Sequence, residues 1–242
     1  MIGGLSNYRK ALDQLSRLNA ELKLVIAGNH DVSLDSNWWA ENEEEGDDPE
    51  DPAKARQLFE AAREQGVSLL GEGLHVFELG DGRPIKIFAS PFTPEFGGYA
   101  FSYPRDEDHF IEGEGFIPEG VDIVMTHGPP LPPYPESPSS AAYLLDLGHG
   151  GEHCGCTNLF KAIVRARPKL HCFGHIHGTR SLTWSPCEEG DSFSIEALVE
   201  DTGMIHTTEE GKTLLVNAAF TRHGGEPNSQ PWVVDVKLGG HV

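Results

Sequence analysis

The sequence predicts an α/β fold, and three observations lead there. Apolar runs of strand length alternate with segments of helical periodicity. Three of those runs, LVIAGNHD, DIVMTHGPP and LHCFGHIHG, end in glycine, asparagine, threonine and histidine rather than fading into ordinary turns. A chain of 242 residues also suffices for one sizeable core, so residues 1–242 read as a single domain with no clean internal boundary.

Taken in order, Ser6 is positioned to cap a helix whose Tyr8, Ala11, Leu12, Leu15 and Leu18 recur at helical spacing. Leu22 to Ala27 then reads as a buried strand running into Gly28. Residues 41–51, ENEEEGDDPED, read as a solvated acidic loop insertion, after which Asp51 and Pro52 open a second helix that stops at Gly66. Val67 to Leu70 is a short strand. Leu74 to Leu79 and Pro84 to Ala89 alternate with period two about Asp81 and Gly82, a strong hairpin signal. A long loop, SPFTPEFGGYAFSYPR, precedes the strand Val121 to Thr126, and loops of this kind carry specificity more often than structure. GPPLPPYPESPSS is too rich in proline for helix or strand. A helix follows from about Thr157 to Arg165, then a strand from Lys169 to Phe173, and strand-like runs at Thr179 to Trp184, Leu214 to Ala218 and Trp232 to Leu238.

Composition narrows the function. The net charge is −20, and setting aside the eight acids of 41–51 still leaves the body at −12. Such a surface repels phosphate backbones, and no basic stripe or stacking platform offsets it, so a nucleic acid polymer is not expected as partner. No apolar run reaches the ~20 residues of a membrane span, so no membrane partner is expected and the chain reads as a soluble cytoplasmic protein. Cys154, Cys156, Cys172 and Cys187 do not have the spacing of a structural zinc knuckle and read as reduced thiols.

In sheets with helical crossovers the C-terminal strand ends line one edge, where ligand sites form. Asn29, His30, Asp31, His127, His175 and His177 thus converge on one cleft. A mixed set of imidazole and carboxamide donors suits a hydrolytic metal rather than an electron-transfer centre. His175 and His177 would share a face if extended and part company in a tight turn, and the sequence leaves both open. Beside a bound phosphate, His30 as imidazolium could protonate a leaving oxygen, with Asp31 holding its ring and raising its pKa. Trp38, Trp39, Phe92, Phe96, Tyr99 and Phe101 form either core or a wall for a nucleotide base, core being the commoner use of such clusters. His75, His109, His171 and His206 read as ordinary surface or capping residues, and His149 and His153 as part of a glycine-rich loop.

GNHD, THGPP and GHIH, in this order on strand ends, resemble the calcineurin-like metallophosphoesterases. PFTPEFGGYAF and RPKLHCFGHIHG are similar to the subgroup linked to cyclic-nucleotide phosphodiesterases. The resemblance implies a four-layer α/β/β/α sandwich with two divalent ions, Mn, Fe, Zn or Mg, generating a hydroxide at the strand ends. It implies Asn29, His127 and His175 as ligands of one metal, His177 as a ligand of the other, and His30 with Asp31 as the catalytic pair. The expected substrate is a small phosphoester, most specifically a phosphodiester such as a cyclic nucleotide. The family's opening Asp-x-His and Gly-Asp are absent, so the chain is expected to lack the first strand region, to be N-terminally incomplete, and to hold one metal at most. A short form without catalysis and a site completed by a partner chain are the competing readings. The alternative function is a non-catalytic single-metal or nucleotide-binding protein.

Overall fold

The computed structural model describes residues 4–45, 47–48, 50–133, 145–148, 150–177, 181–186, 193–197, 206–219 and 231–238. The proline-rich stretch from residue 134 onward, His149 and Cys187 therefore lie outside the described residues.

Helix α1 (Leu5–Ser16) buries Tyr8 and Leu12, the face its periodicity marks. It starts one residue before the expected cap: Gly4 is the N-cap and no side chain caps it. Strand β1 (Lys23–Val25) is shorter than Leu22 to Ala27 and only half-buried. A helix that the sequence reading did not find, α2 (Ser36–Asn42), follows, capped by Asp35, whose Oδ1 accepts from the backbone N–H groups of Asn37 and Trp38. The acidic stretch is thus helical at both ends, in α2 and in α3 (Asp51–Ala62). β2 (Val67–Leu69) pairs in parallel with β1.

β3 (Gly73–Glu78) and β4 (Pro84–Ser90) form the expected antiparallel hairpin, with Glu78 opposite Pro84. Two-residue strands β5 (Thr93–Pro94) and β6 (Ser102–Tyr103) close the base of the aromatic loop. Then come β7 (Ile123–Thr126), α3's counterpart across the sheet α4 (Thr157–Ala166), and β8 (Leu170–Phe173). The rest is strand: β9 (Ser181–Pro186), β10 (Phe193–Ala197), β11 (His206–Thr207), β12 (Thr213–Asn217) and β13 (Val234–Asp235). β10 and β11 were not expected, and only Val234 and Asp235 of the run from Trp232 to Leu238 are strand.

A seven-stranded sheet has the order β10-β9-β12-β8-β7-β4-β3, parallel from β12 to β4 and antiparallel at its flanks. Alternation along its strands divides the core into layers. Phe88, Val124, Phe173 and Leu215 meet Leu159, Phe160 and Ile163 of α4 on one face. On the other face Ile87, Ala89 and Met125 meet Leu24 and Ile26 around β1, while Leu214 and Val216 meet Trp232 and Val234. Beyond β1 and β2, Val25 and Leu69 pack on Tyr8, Leu12 and Phe59 of α1 and α3. The order is helix, sheet, small strand layer, helices, the α/β/β/α arrangement. In that second strand layer β1 and β2 pair as strands only with each other among the described residues. No helix among the described residues is long and apolar enough to cross a membrane.

Candidate active site

The parallel strands deliver their C-terminal ends to one edge, and the backbone stitches those ends together. His127 N–H donates to the Ser90 carbonyl at 3.0 Å, Gly174 N–H to the His127 carbonyl at 3.0 Å, and Ala218 N–H to the Phe173 carbonyl at 2.6 Å. The segments after β4, β7, β8 and β12 are therefore held side by side before any side chain contributes.

At the centre stands His127, whose Nε2 lies 2.9 Å from Asn29 Oδ1 and whose ring centre is 4.8 Å from that of His175. This approach needs Gly28: a Cβ there would come within 2.7 Å of His127 Cε1. Burial, with His175 and His30 nearby, pushes the His127 pKa down to about 3. Burial likewise brings His175 to about 4, assisted by His30, His177 and Arg105. Both rings are neutral at physiological pH, the state in which imidazole binds metal.

His175 adopts φ 65, a left-handed backbone that is strained for a non-glycine residue, and Ile176 N–H bonds the Gly174 carbonyl across it at 2.7 Å. This γ-turn decides between the two arrangements left open for GHIH: His175 turns into the cleft, while His177 stays exposed at its rim. His177 is near enough to lower the proton affinity of His30 and His175. Asn217, 2% exposed, holds the turn by donating from Nδ2 to the Ile176 carbonyl at 2.8 Å. It acts as a positioning residue for the turn.

His30 stands beside this group with its Nδ1 buried and unbonded. Burial lowers its pKa, and the Asp31 charge opposes this only in part. Asp31 does not hold the His30 ring by a hydrogen bond. Its Oδ2 accepts from Gly28 N–H at 2.8 Å while its own N–H returns to the Gly28 carbonyl at 2.9 Å, so it braces the turn that presents Asn29 and His30.

A buried side chain behind the site was passed over as an ordinary histidine. His171 is fully buried, and its Nε2 is 2.9 Å from Thr126 Oγ1, which donates to the Gly128 carbonyl at 2.7 Å. Since Thr126 spends its one proton on Gly128, His171 carries its proton on Nε2 and donates to Thr126. The pair fixes the backbone on both sides of His127. The signal was available: His171 alternates in phase with Phe173, so it faces the α4 layer. His109 was also read as ordinary, yet it sits beneath the aromatic loop with Nε2 2.8 Å from Glu72 Oε1. His153, from the glycine-rich loop, pairs with buried Asp146 through Nδ1 at 2.8 Å. Cys154, Cys156 and Cys172 are free thiols, and Cys156 Sγ caps α4 by accepting from Leu159 N–H.

The residues of calcineurin-like phosphoesterases match this chain over residues 3–179, and the chain belongs to that family. It is 29% identical to human metallophosphoesterase domain-containing protein 1 across 97% of its own length and 61% of that protein's. It is 31% identical to a UPF0046 protein of Caenorhabditis elegans, across 71% of this chain and 41% of the relative. A probable rhamnogalacturonate lyase C of Emericella nidulans is 34% identical over 69% of this chain but only 13% of its own length. The chain thus spans less than two thirds of each of these relatives.

The family depends on divalent metal. The structure fits one such ion: His175 Nε2 is buried without a hydrogen-bond partner, His127 is a neutral imidazole, and Asn29 Oδ1 lies against it. That is an N and O donor set of borderline hardness. Among the described residues no three His, Cys, Asp or Glu side chains are gathered to hold an ion, so the donors brought together here are two imidazoles and one amide oxygen.

Proposed function

We propose that the chain is a metal-dependent phosphoesterase acting on a small phosphodiester such as a cyclic nucleotide, with Asn29, His127 and His175 holding a divalent ion and His177 at its rim. The observation that carries this is the buried, partnerless Nε2 of His175 beside the His127 and Asn29 pair. Leaving such a nitrogen unpaired costs about 1–3 kcal/mol, which a bound ligand recovers. The ion, when bound, supplies Lewis acidity toward the phosphate and an activated water.

The chain's own residues do the remainder. The turn braced by Asp31 and the γ-turn braced by Asn217 hold the donors without rearrangement. His30, whose proton affinity burial lowers in the free site, regains it when an anionic phosphate arrives, and its imidazolium then protonates the leaving oxygen. The subgroup similarity of PFTPEFGGYAF and RPKLHCFGHIHG supports the diester and the cyclic nucleotide; the family supports the phosphoester bond.

A second reading, a non-catalytic single-metal or nucleotide-binding protein, is favoured by one observation: Asp31 is committed to Gly28 N–H, and among the described residues no three His, Cys, Asp or Glu side chains are gathered to hold an ion. Titrating the chain with Mn²⁺ and with Zn²⁺, then assaying bis-4-nitrophenyl phosphate, separates the two. Hydrolysis that falls at least tenfold in His175→Ala, together with cation affinity, is the expected result. Stoichiometric binding without turnover of any ester hands the site to the second reading.

A further inference from the structure

The loop between β5 and β6 is a built part of the cleft. Thr93 N–H donates to the Phe101 carbonyl at 3.0 Å and Glu95 N–H to the Tyr103 carbonyl at 2.8 Å, which closes its base. Its tip is tied to the other side of the site. Asp35 uses Oδ1 to cap α2 and Oδ2 to accept from Phe101 N–H at 2.9 Å, and Trp38 Nε1–H donates to the Gly98 carbonyl at 2.9 Å. Gly97 and Gly98 at φ 72 and 73 make the bend that a side chain would resist.

This clamped loop places one aromatic ring on each of two cleft histidines. Tyr99 meets His30 edge to face with ring centres 4.5 Å apart, and Phe96 meets His175 at 6.0 Å and 87°. Phe96 remains 43% exposed, an apolar ring at the mouth of a polar cleft. Phe92 and Phe101 do something different: they pack on each other at 5.7 Å and Phe92 also on His109, so they are the loop's own core. Trp38, Phe92 and Phe101 are therefore supports, and Tyr99 and Phe96 are the two rings that face the chemistry.

We infer that Tyr99 and Phe96 determine leaving-group specificity, selecting phosphoesters whose leaving group carries a planar ring, such as a nucleobase or an aryl group. The inference rests on the phosphoester reading above. If His30 protonates the leaving oxygen, the substituent on that oxygen lies on the His30 side, which is the side Tyr99 occupies. Base or aryl stacking on an aromatic side chain tolerates many rings and needs no hydrogen-bond code, so the selection is for planarity rather than for one base. A loop already clamped by Asp35 and Trp38 loses little freedom on binding, and the rings act from a preformed wall.

The test is binding of phenylphosphonate and methylphosphonate to the metal-loaded chain by calorimetry, since these share a charged group and differ in the ring. Wild type is expected to prefer phenylphosphonate by about 5- to 20-fold. Tyr99→Leu combined with Phe96→Leu is expected to bring the ratio of the two affinities within about twofold. Tyr99→Phe, which keeps the ring, is expected to keep the preference, and circular dichroism of each variant establishes that it folds. Equal affinities in wild type, or a ratio that the double leucine variant does not move, overturn the inference and leave the phosphoester reading standing. Failure of wild type to bind either phosphonate overturns both.

Discussion

Two regions of this molecule bury histidine to opposite effect. In the strand-exit cleft His127 and His175, and behind it His171, lie among backbone, amide and apolar groups, and burial drives each toward the neutral state. Beneath the aromatic loop, burial also pulls on His109, but hydrogen bonds and charge from Glu72 and Glu107 outweigh it and raise its pKa. His109 further stacks on Tyr103 at 4.3 Å and 5°, and Glu72 also accepts from Ser90 Oγ at 2.6 Å, at the end of the strand beside His127. The difference teaches that burial alone favours the neutral imidazole, the form that can bind metal or hold a neighbouring hydroxyl, whereas burial with a carboxylate favours the protonated one.

The largest expected effect comes from erasing the carboxylate. Glu72→Ala leaves His109 and Ser90 Oγ without their shared acceptor, and should cost about 3 kcal/mol at pH 6 by urea denaturation. Because the folded pKa of His109 lies above its ordinary value of 6.5, the pairing contributes fully below that pH and is lost as pH rises through the folded value. The penalty at pH 9 should therefore be smaller, and an equal penalty at both pH values would show that charge plays no part.

Next in size is crowding the cleft. Gly28→Ala forces a methyl against the His127 ring and should cost about 2 kcal/mol of stability and roughly tenfold or more in Zn²⁺ affinity. Calorimetric titration reads the second quantity; wild-type affinity in this variant would remove His127 from the ligand set.

The smallest effect sharpens the contrast by pH. His171, at about 3 when folded, takes up its proton near 6.5 when unfolded, so stability is full above that range and falls as pH drops below it. In His171→Asn the slope of unfolding free energy between pH 6 and pH 4.5 should flatten by about 1 kcal/mol per pH unit. A slope identical to wild type would mean that His171 is charged in the fold.

How much of this could be read beforehand depended on range along the chain. The strand exits at Gly28, Thr126 and Gly174 were legible because an apolar run ending in a ligand-type residue is a local pattern, and the hairpin about Asp81 and Gly82 was legible for the same reason. The γ-turn at His175 was not, since it is held by Asn217 from another strand. Nor was α2, only seven residues long and followed by an acidic run that masks it, although Asp35 two residues before Asn37 is a capping signal. β5 and β6 are two residues each and exist only because they meet. The rings of Tyr99 and Phe96 could be counted in the sequence, but their partners are set by the tie from Trp38 to Gly98, 60 residues away along the chain. The bond of Asp31 is not legible either, because His30 is its neighbour in sequence while Gly28 N–H is the donor in space.

Asp35 has a consequence for anyone recombining this protein with its relatives. One carboxylate serves both the start of α2 and the backbone of Phe101, so the loop that roofs the cleft is not a cassette bounded by its own ends. A graft of residues 91–103 alone would arrive without its anchor, and a replacement of residues 35–42 would release a loop it never touches in sequence. The two segments must travel together, which makes them a single unit of inheritance although about fifty residues separate them.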